Sequence, residues 1–209
     1  MDLRKEKNQR IILFFATFVV AFIVRLLLFH SVNSIESWSG FKYMHQLGGK
    51  HLNGESSSLI IPYLKQFTWL FNDIQLAFKL GTFALTALFA LSSLKLAVTF
   101  SKDLWTLQII ALWLVISPSV TQLAIHYPSY LLALVFLELL LKYLIQKNFW
   151  LTSLFFIHLY LTQPLIAVHG GLIIILTLVF RMKAGTLKRI LLPLAIMGSL
   201  VLLLMPEVS

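Results

Sequence analysis

The sequence predicts an all-α protein, a polytopic transmembrane helical bundle of about seven spans. Three observations predict it. First, 59% of the 209 residues are hydrophobic, only 12% are charged, and the mean hydropathy is +0.88; soluble domains carry about 25% charged residues. Second, several apolar runs approach the roughly 17–25 residues that a spanning helix needs. Third, the basic residues behind the net charge of +9 sit in short polar segments between those runs. That placement follows membrane topology rather than nucleic-acid binding.

The elements follow in order, as a single transmembrane domain over residues 1–209. MDLRKEKNQR, residues 1–10, is a basic cytosolic N-terminus. The first span, residues 11–30, is too long for a signal-peptide core and has no small-x-small cleavage site after it, so it reads as a retained signal-anchor. Residues 31–72 form a polar loop with helical content. Trp38, Phe41, His45 and Leu52 have roughly helical spacing, which predicts an amphipathic helix ending near Gly48-Gly49 or Asn53-Gly54. LIIPYLKQFTWLF, residues 59–71, predicts a second amphipathic piece at the interface. Further spans are expected at 76–98, 105–120, 128–145, 149–163, 165–181 and 189–205. The 149–163 span is short and ends at Gln163-Pro164, where proline must kink or break the helix. Little soluble chain is expected on either side of the membrane.

With the N-terminus in the cytosol, twelve of the seventeen basic residues fall on the cytosolic side, which satisfies the positive-inside rule. The 31–72 loop then lies in the lumen or outside the cell. His30, His45, His51, His126 and His169, with Glu36, Glu55 and Asp73, gather on that same side.

The candidate residues have competing readings. Arg25 sits about one turn before the first span ends. A charge in lipid costs about 2.5–3.5 kcal/mol at a helix centre, so Arg25 snorkels, pairs with another helix, or contacts an anionic group such as a lipid phosphate. Glu138 has Lys142 four residues on, which predicts an i,i+4 ion pair. His158 lies inside a span and is expected to hydrogen-bond a neighbouring helix. His126 and Tyr127, in HYPSY, are interface-belt residues or the lining of a headgroup pocket. Gln163 and His169 lie near the same face, and Gly170-Gly171 permits close helix packing. Glu36, His45 and His51 match no strong metal motif, so no metal and no cofactor is expected. The absence of cysteine excludes a disulfide framework, a thiolate metal site and a cysteine nucleophile.

The order of one span, a lumenal loop with an amphipathic helix, and then many short-looped spans resembles the GT-C class of membrane proteins. Those enzymes transfer sugars from polyprenyl-phosphate donors with an acidic base in the first lumenal loop. IVRLLLFHS, ESWSGFKYMHQLGGKHLNG, LIIPYLKQFTWLFNDIQLAFKLGTFALTALFAL, LVISPSVTQLAIHYPSYLLALVFLELLL and LYLTQPLIAVHGGLIIIL are similar to successive segments of the PIG-U family, a subunit of the GPI transamidase. NGESSSLIIPYL is shorter than the matching family stretch and lacks its S-P-Y and acidic-T-P elements. The family's C-terminal half has no counterpart here, so no lipid-contact residue is carried over from it.

The resemblance implies a noncatalytic, multi-pass subunit of the endoplasmic reticulum membrane. Its partners would be the GPI glycolipid and other transamidase subunits, with no nucleic acid. Headgroup-binding candidates are Arg25, His30, Trp38, His126, Tyr127, Gln163 and His169. The alternative is a GT-C glycosyltransferase, like a GPI mannosyltransferase, with Glu36 as base. The loop carries no aspartate, only Glu36 and Glu55, which favours the noncatalytic reading. A small-solute transporter is disfavoured by the lack of an internal repeat.

Overall fold

A computed structural model describes residues 3–30, 38–47 and 59–181, and the regular structure among them is helical. The helices are α1 (Leu3–His30), α2 (Trp38–Leu47), α3 (Ile60–Leu70), α4 (Ile74–Phe100), α5 (Leu104–Ile116), α6 (Pro118–His126), α7 (Pro128–Ile145), α8 (Phe149–Thr162) and α9 (Pro164–Arg181).

Local chemistry sets the boundaries. The Asp73 carboxylate caps α4 by accepting from the backbone N–H groups of Gln75 (2.8 Å) and Leu76 (3.3 Å). Asp103 caps α5 through the N–H and hydroxyl of Thr106 (2.9 and 2.7 Å), and Asn148 caps α8 through the Leu151 N–H (3.3 Å). These are the residue types whose short polar side chains reach the free N–H groups of a first turn. Pro118, Pro128 and Pro164 each stand at the start of a helix, where the missing N–H costs nothing and the fixed φ fits. Helix α7 stops in a Schellman turn. The Asn148 N–H bonds the Tyr143 carbonyl and the Lys147 N–H bonds that of Leu144. Lys147 stands at φ 58°, a conformation that usually selects glycine.

Helix α4 is the centre, packed on α1, α3, α5 and α7. It runs antiparallel to α1: Phe22 meets Phe83 edge-on at 6.3 Å, Ala21 packs among Ala87 and Ala90, and Arg10 reaches the Lys102 carbonyl at 3.4 Å. It runs parallel to α7, so that Ser92 and Ser93 face Glu138. The bundle therefore has an Arg10 end and an Arg25 end.

Helices α2 and α3 dock at the Arg25 end, where the sequence predicts helical pieces in the loop. Ile60 and Leu64 are fully buried with Phe78 and Leu85, while Pro62, Lys65 and Trp69 face outward. Tyr63 donates its hydroxyl to the Gly81 carbonyl at 2.9 Å. A Cβ on Gly81 would stand 2.6 Å from Leu64 Cδ2, so the close approach of α3 to α4 requires glycine or movement of Leu64.

The described helices long and apolar enough to cross a membrane are three: Asn8–Leu27, Ile74–Phe100 and Pro128–Ile145. They become four if α5 and α6, bent by 48° at Ser117, form one broken span. Trp105, Ile109, Leu112, Trp113 and Ile116 make an exposed apolar stripe on α5 at helical spacing, opposite the buried Leu107, Ala111 and Val115. An outward-facing apolar stripe of this kind suits lipid rather than water.

Three to four candidate spans stand among the described residues where about seven spans are expected along the chain, and two stretches account for part of the difference. The 105–120 span breaks at Pro118, because the proline cannot donate to the Leu114 carbonyl, and the chain continues as α6. Helix α8 has 14 residues, a length of about 21 Å against a hydrocarbon core of about 30 Å. It turns into α9 at Gln163-Pro164, where the sequence places a break. The 189–205 span lies outside the described residues.

Candidate functional site

A break in a membrane helix leaves carbonyls without their i+4 donors, and lipid offers no replacement. Pro118 takes the donor from Leu114, and Ser117 marks the bend. Arg25 of α1 meets this point. Its Nη2 donates to the Ser117 carbonyl at 3.0 Å and reaches the Leu114 carbonyl at 3.5 Å. A guanidinium suits the negative end of α5 both as a donor and as a charge against the helix dipole. Of the readings open in the sequence, helix–helix pairing is therefore realised, to backbone rather than to an acid. The side chain is 1% exposed, so it does not snorkel to the surface.

The pairing is incomplete. Arg25 Nε and Nη1 are buried and have no hydrogen-bond partner among the described residues. A buried donor without an acceptor costs about 1–3 kcal/mol, and more when charged. Such groups in a native structure call for an explanation; Nε and Nη1 point to opposite edges of the guanidinium, so each is a separate donor for an oxygen brought to it.

The same end holds a second polar tie. Tyr43 of α2 donates to the Ser129 hydroxyl near the start of α7 at 2.9 Å. Burial pushes the Tyr43 phenol above its ordinary pKa, so it remains a neutral donor. Beyond α6, His126, Tyr127 and Tyr130 form an exposed ring cluster, with centroids 6.3 and 5.9 Å apart in sequence order. Helix α6 is nine residues long, which places this cluster on the order of 13 Å from the Ser117 bend.

The remaining candidates lie elsewhere. Gln163 is half-buried at the α8–α9 junction, and His169 is exposed on α9 with Nδ1 donating to its own Leu165 carbonyl at 3.0 Å. Helices α8 and α9 pack on α7, whereas Arg25 packs toward α5. Among the candidates whose side chains are described, Gln163 and His169 therefore lie on a different part of the bundle from Arg25. His30 closes α1 and Trp38 opens α2; their side chains, and Glu36, lie outside the described residues.

Two further expectations change. Glu138 does not turn along its own helix to Lys142. Its carboxylate reaches across to α4, where Ser92 and Ser93 donate to it, while Lys142 Nζ sits 4.8 Å over the Tyr143 ring. His158 bonds its own helix, Nδ1 to the Leu154 carbonyl at 2.8 Å, and packs its ring against Phe136 at 5.3 Å. The glycine reading holds at Gly170, where a Cβ would stand 2.9 Å from Leu159 Cδ2.

Every acid whose side chain is described has a structural assignment: Asp73 and Asp103 cap helices and Glu138 links α7 to α4. Among the described residues no three His, Cys, Asp or Glu side chains gather as metal ligands. No protein-family model, curated protein or solved structure matches this chain.

Proposed function

We propose that this chain is a noncatalytic subunit of the GPI transamidase of the endoplasmic reticulum membrane, with a GT-C-like bundle and a cytosolic N-terminus. Its Arg25 end would take up the phosphate-bearing headgroup of GPI while the lipid tails lie along the apolar helices. The observation that carries this reading is Arg25: a buried guanidinium at a broken span, with two buried donors that have no partner among the described residues. A half-helix end beside a buried charge near the membrane is a common way to build a polar binding site in lipid. Asp73, Asp103 and Glu138 have structural roles, and the loop's lack of aspartate favours a scaffold over a transferase. The resemblance of the five quoted segments to PIG-U supplies the transamidase and the compartment.

A GT-C glycosyltransferase with Glu36 as base is the second reading. It is favoured by the docking of α2, which begins two residues after Glu36, at the same end as Arg25. Affinity purification of the tagged chain in mild detergent, with mass spectrometry of co-purifying proteins, tests the first reading. Recovery of transamidase subunits supports it. A solitary chain whose sugar-transfer activity is lost in Glu36→Gln overturns it in favour of the second.

A further inference from the structure

At the Arg10 end, α1, α4 and α7 leave an open cleft of about 480 Å³, lined by Phe14, Lys95, Val98, Lys142, Ile145 and Gln146, with Thr99. The volume lies within the roughly 300–1,000 Å³ range of small-ligand pockets. Lys95 comes from α4 and Lys142 from α7, and the parallel register of those helices sets them side by side. Both are half-buried. Among the described residues no acid lines the cleft. Glu138, one turn before Lys142, is held by Ser92 and Ser93, one turn before Lys95. The acid in reach is thus drawn away from the lysines, and Lys142 rests on an aromatic ring instead. The Thr99 hydroxyl donates to its own Leu96 carbonyl at 2.6 Å, leaving lysine and Gln146 as the donors.

Charge at helix ends alone sets topology. Here two lysines on different helices line one cleft, and its apolar walls are Phe14, Val98 and Ile145. Phe14 belongs to a candidate span and Ile145 ends another, so the apolar wall continues onto the lipid-facing surface. We propose that this cleft binds the phosphate of an anionic membrane lipid between Lys95 and Lys142, with the start of an acyl chain against Phe14 and Ile145. The shared chemistry with a soluble phosphate ester is the anion; the apolar wall selects the lipid. This site is separate from the Arg25 end and does not depend on the function proposed for it.

Native mass spectrometry of the full chain released from phosphatidylcholine nanodiscs doped with phosphatidic acid tests this directly. The wild type retains phosphatidic acid over phosphatidylcholine. Lys95→Gln with Lys142→Gln lowers that retention about 30-fold, from about 5-fold per lysine near a membrane surface. Lys95→Arg with Lys142→Arg keeps it, which separates lost charge from lost fold. Lys102→Gln with Lys147→Asn removes two charges at the same end outside the cleft and also keeps it. An equal loss in that control pair would reduce the effect to diffuse surface charge and overturn the proposal. Retention in the double glutamine variant, or displacement of the lipid by glycerophosphate at the same concentration as phosphatidic acid, would overturn it as well.

Discussion

Arg25 and Glu138 are both ionisable residues on apolar helices, and the bundle treats them differently. Glu138 faces two hydroxyls supplied by the helix beside it, so its carboxylate is a fastener between α7 and α4. Arg25 faces a helix break, satisfies carbonyls there with one nitrogen, and keeps two others buried and unpartnered. Intramembrane ionisable residues are expensive wherever they occur. A satisfied one is explained by the fold that holds it; the unsatisfied one is the basis of the headgroup site proposed above. The difference lies in what each group faces, not in its depth or in its neighbours along the helix.

The largest expected effect comes from removing the incomplete group. Arg25→Ala strips donors from the Ser117 and Leu114 carbonyls and leaves a large cavity, so thermal unfolding in detergent should show a loss of about 3–5 kcal/mol. Pro118→Ala restores an N–H to the Leu114 carbonyl. In the Arg25→Ala background it should recover about 1 kcal/mol, and a double-mutant cycle with no coupling would dissociate Arg25 from the break. Glu138→Ala should cost less, about 1–3 kcal/mol for two hydroxyl contacts inside a membrane bundle. Each serine keeps the option of bonding its own helix, as Ser92 does with the Phe89 carbonyl at 3.0 Å. Tyr63→Phe removes one hydrogen bond to Gly81 and should cost about 0.5–1.5 kcal/mol.

The smallest effect belongs to Asp103, an exposed acid that only caps. Bonds from the Thr106 hydroxyl and N–H hold its carboxyl below the ordinary value. A depressed folded value means the cap contributes stability above the ordinary carboxylate pKa and loses it as pH falls through the folded value. Asp103→Ala should therefore flatten the acid side of the stability–pH curve while leaving lipid binding unchanged.

Much of this architecture was legible in the residues. The apolar runs gave the long helices, and the Gln163-Pro164 break fell where the proline put it, whereas the caps at Asp73 and Asp103 emerged only with the fold. Ser117-Pro118 carried the same signal, but the apolar run through Ile116 outweighed it and a straight span to residue 120 was expected. A proline four residues after Leu114 is a rule about a missing donor; applied strictly, it predicts both the break and a need for an outside donor. Partners across helices were less legible. Lys142 is near Glu138 in sequence, whereas Ser92 and Ser93 are 46 and 45 residues away, and only the parallel register of α4 and α7 brings them together. The same register assembles the Lys95–Lys142 cleft. The headgroup candidates were grouped by membrane side, which one-dimensional topology supplies. Packing sets Gln163 and His169 apart from Arg25, because α8 and α9 lie on α7.

The central claim is that Arg25 holds a place for an anionic headgroup. Lipid mass spectrometry of the intact chain, wild type beside Arg25→Lys, tests it most directly. Lysine keeps the charge but loses the planar fork. The account predicts a phosphate-bearing glycolipid bound to the wild type and at least about tenfold less on a folded Arg25→Lys, the worth of one charge-assisted hydrogen bond. Equal glycolipid on both proteins, or a polyprenyl-phosphate sugar in its place, would contradict it.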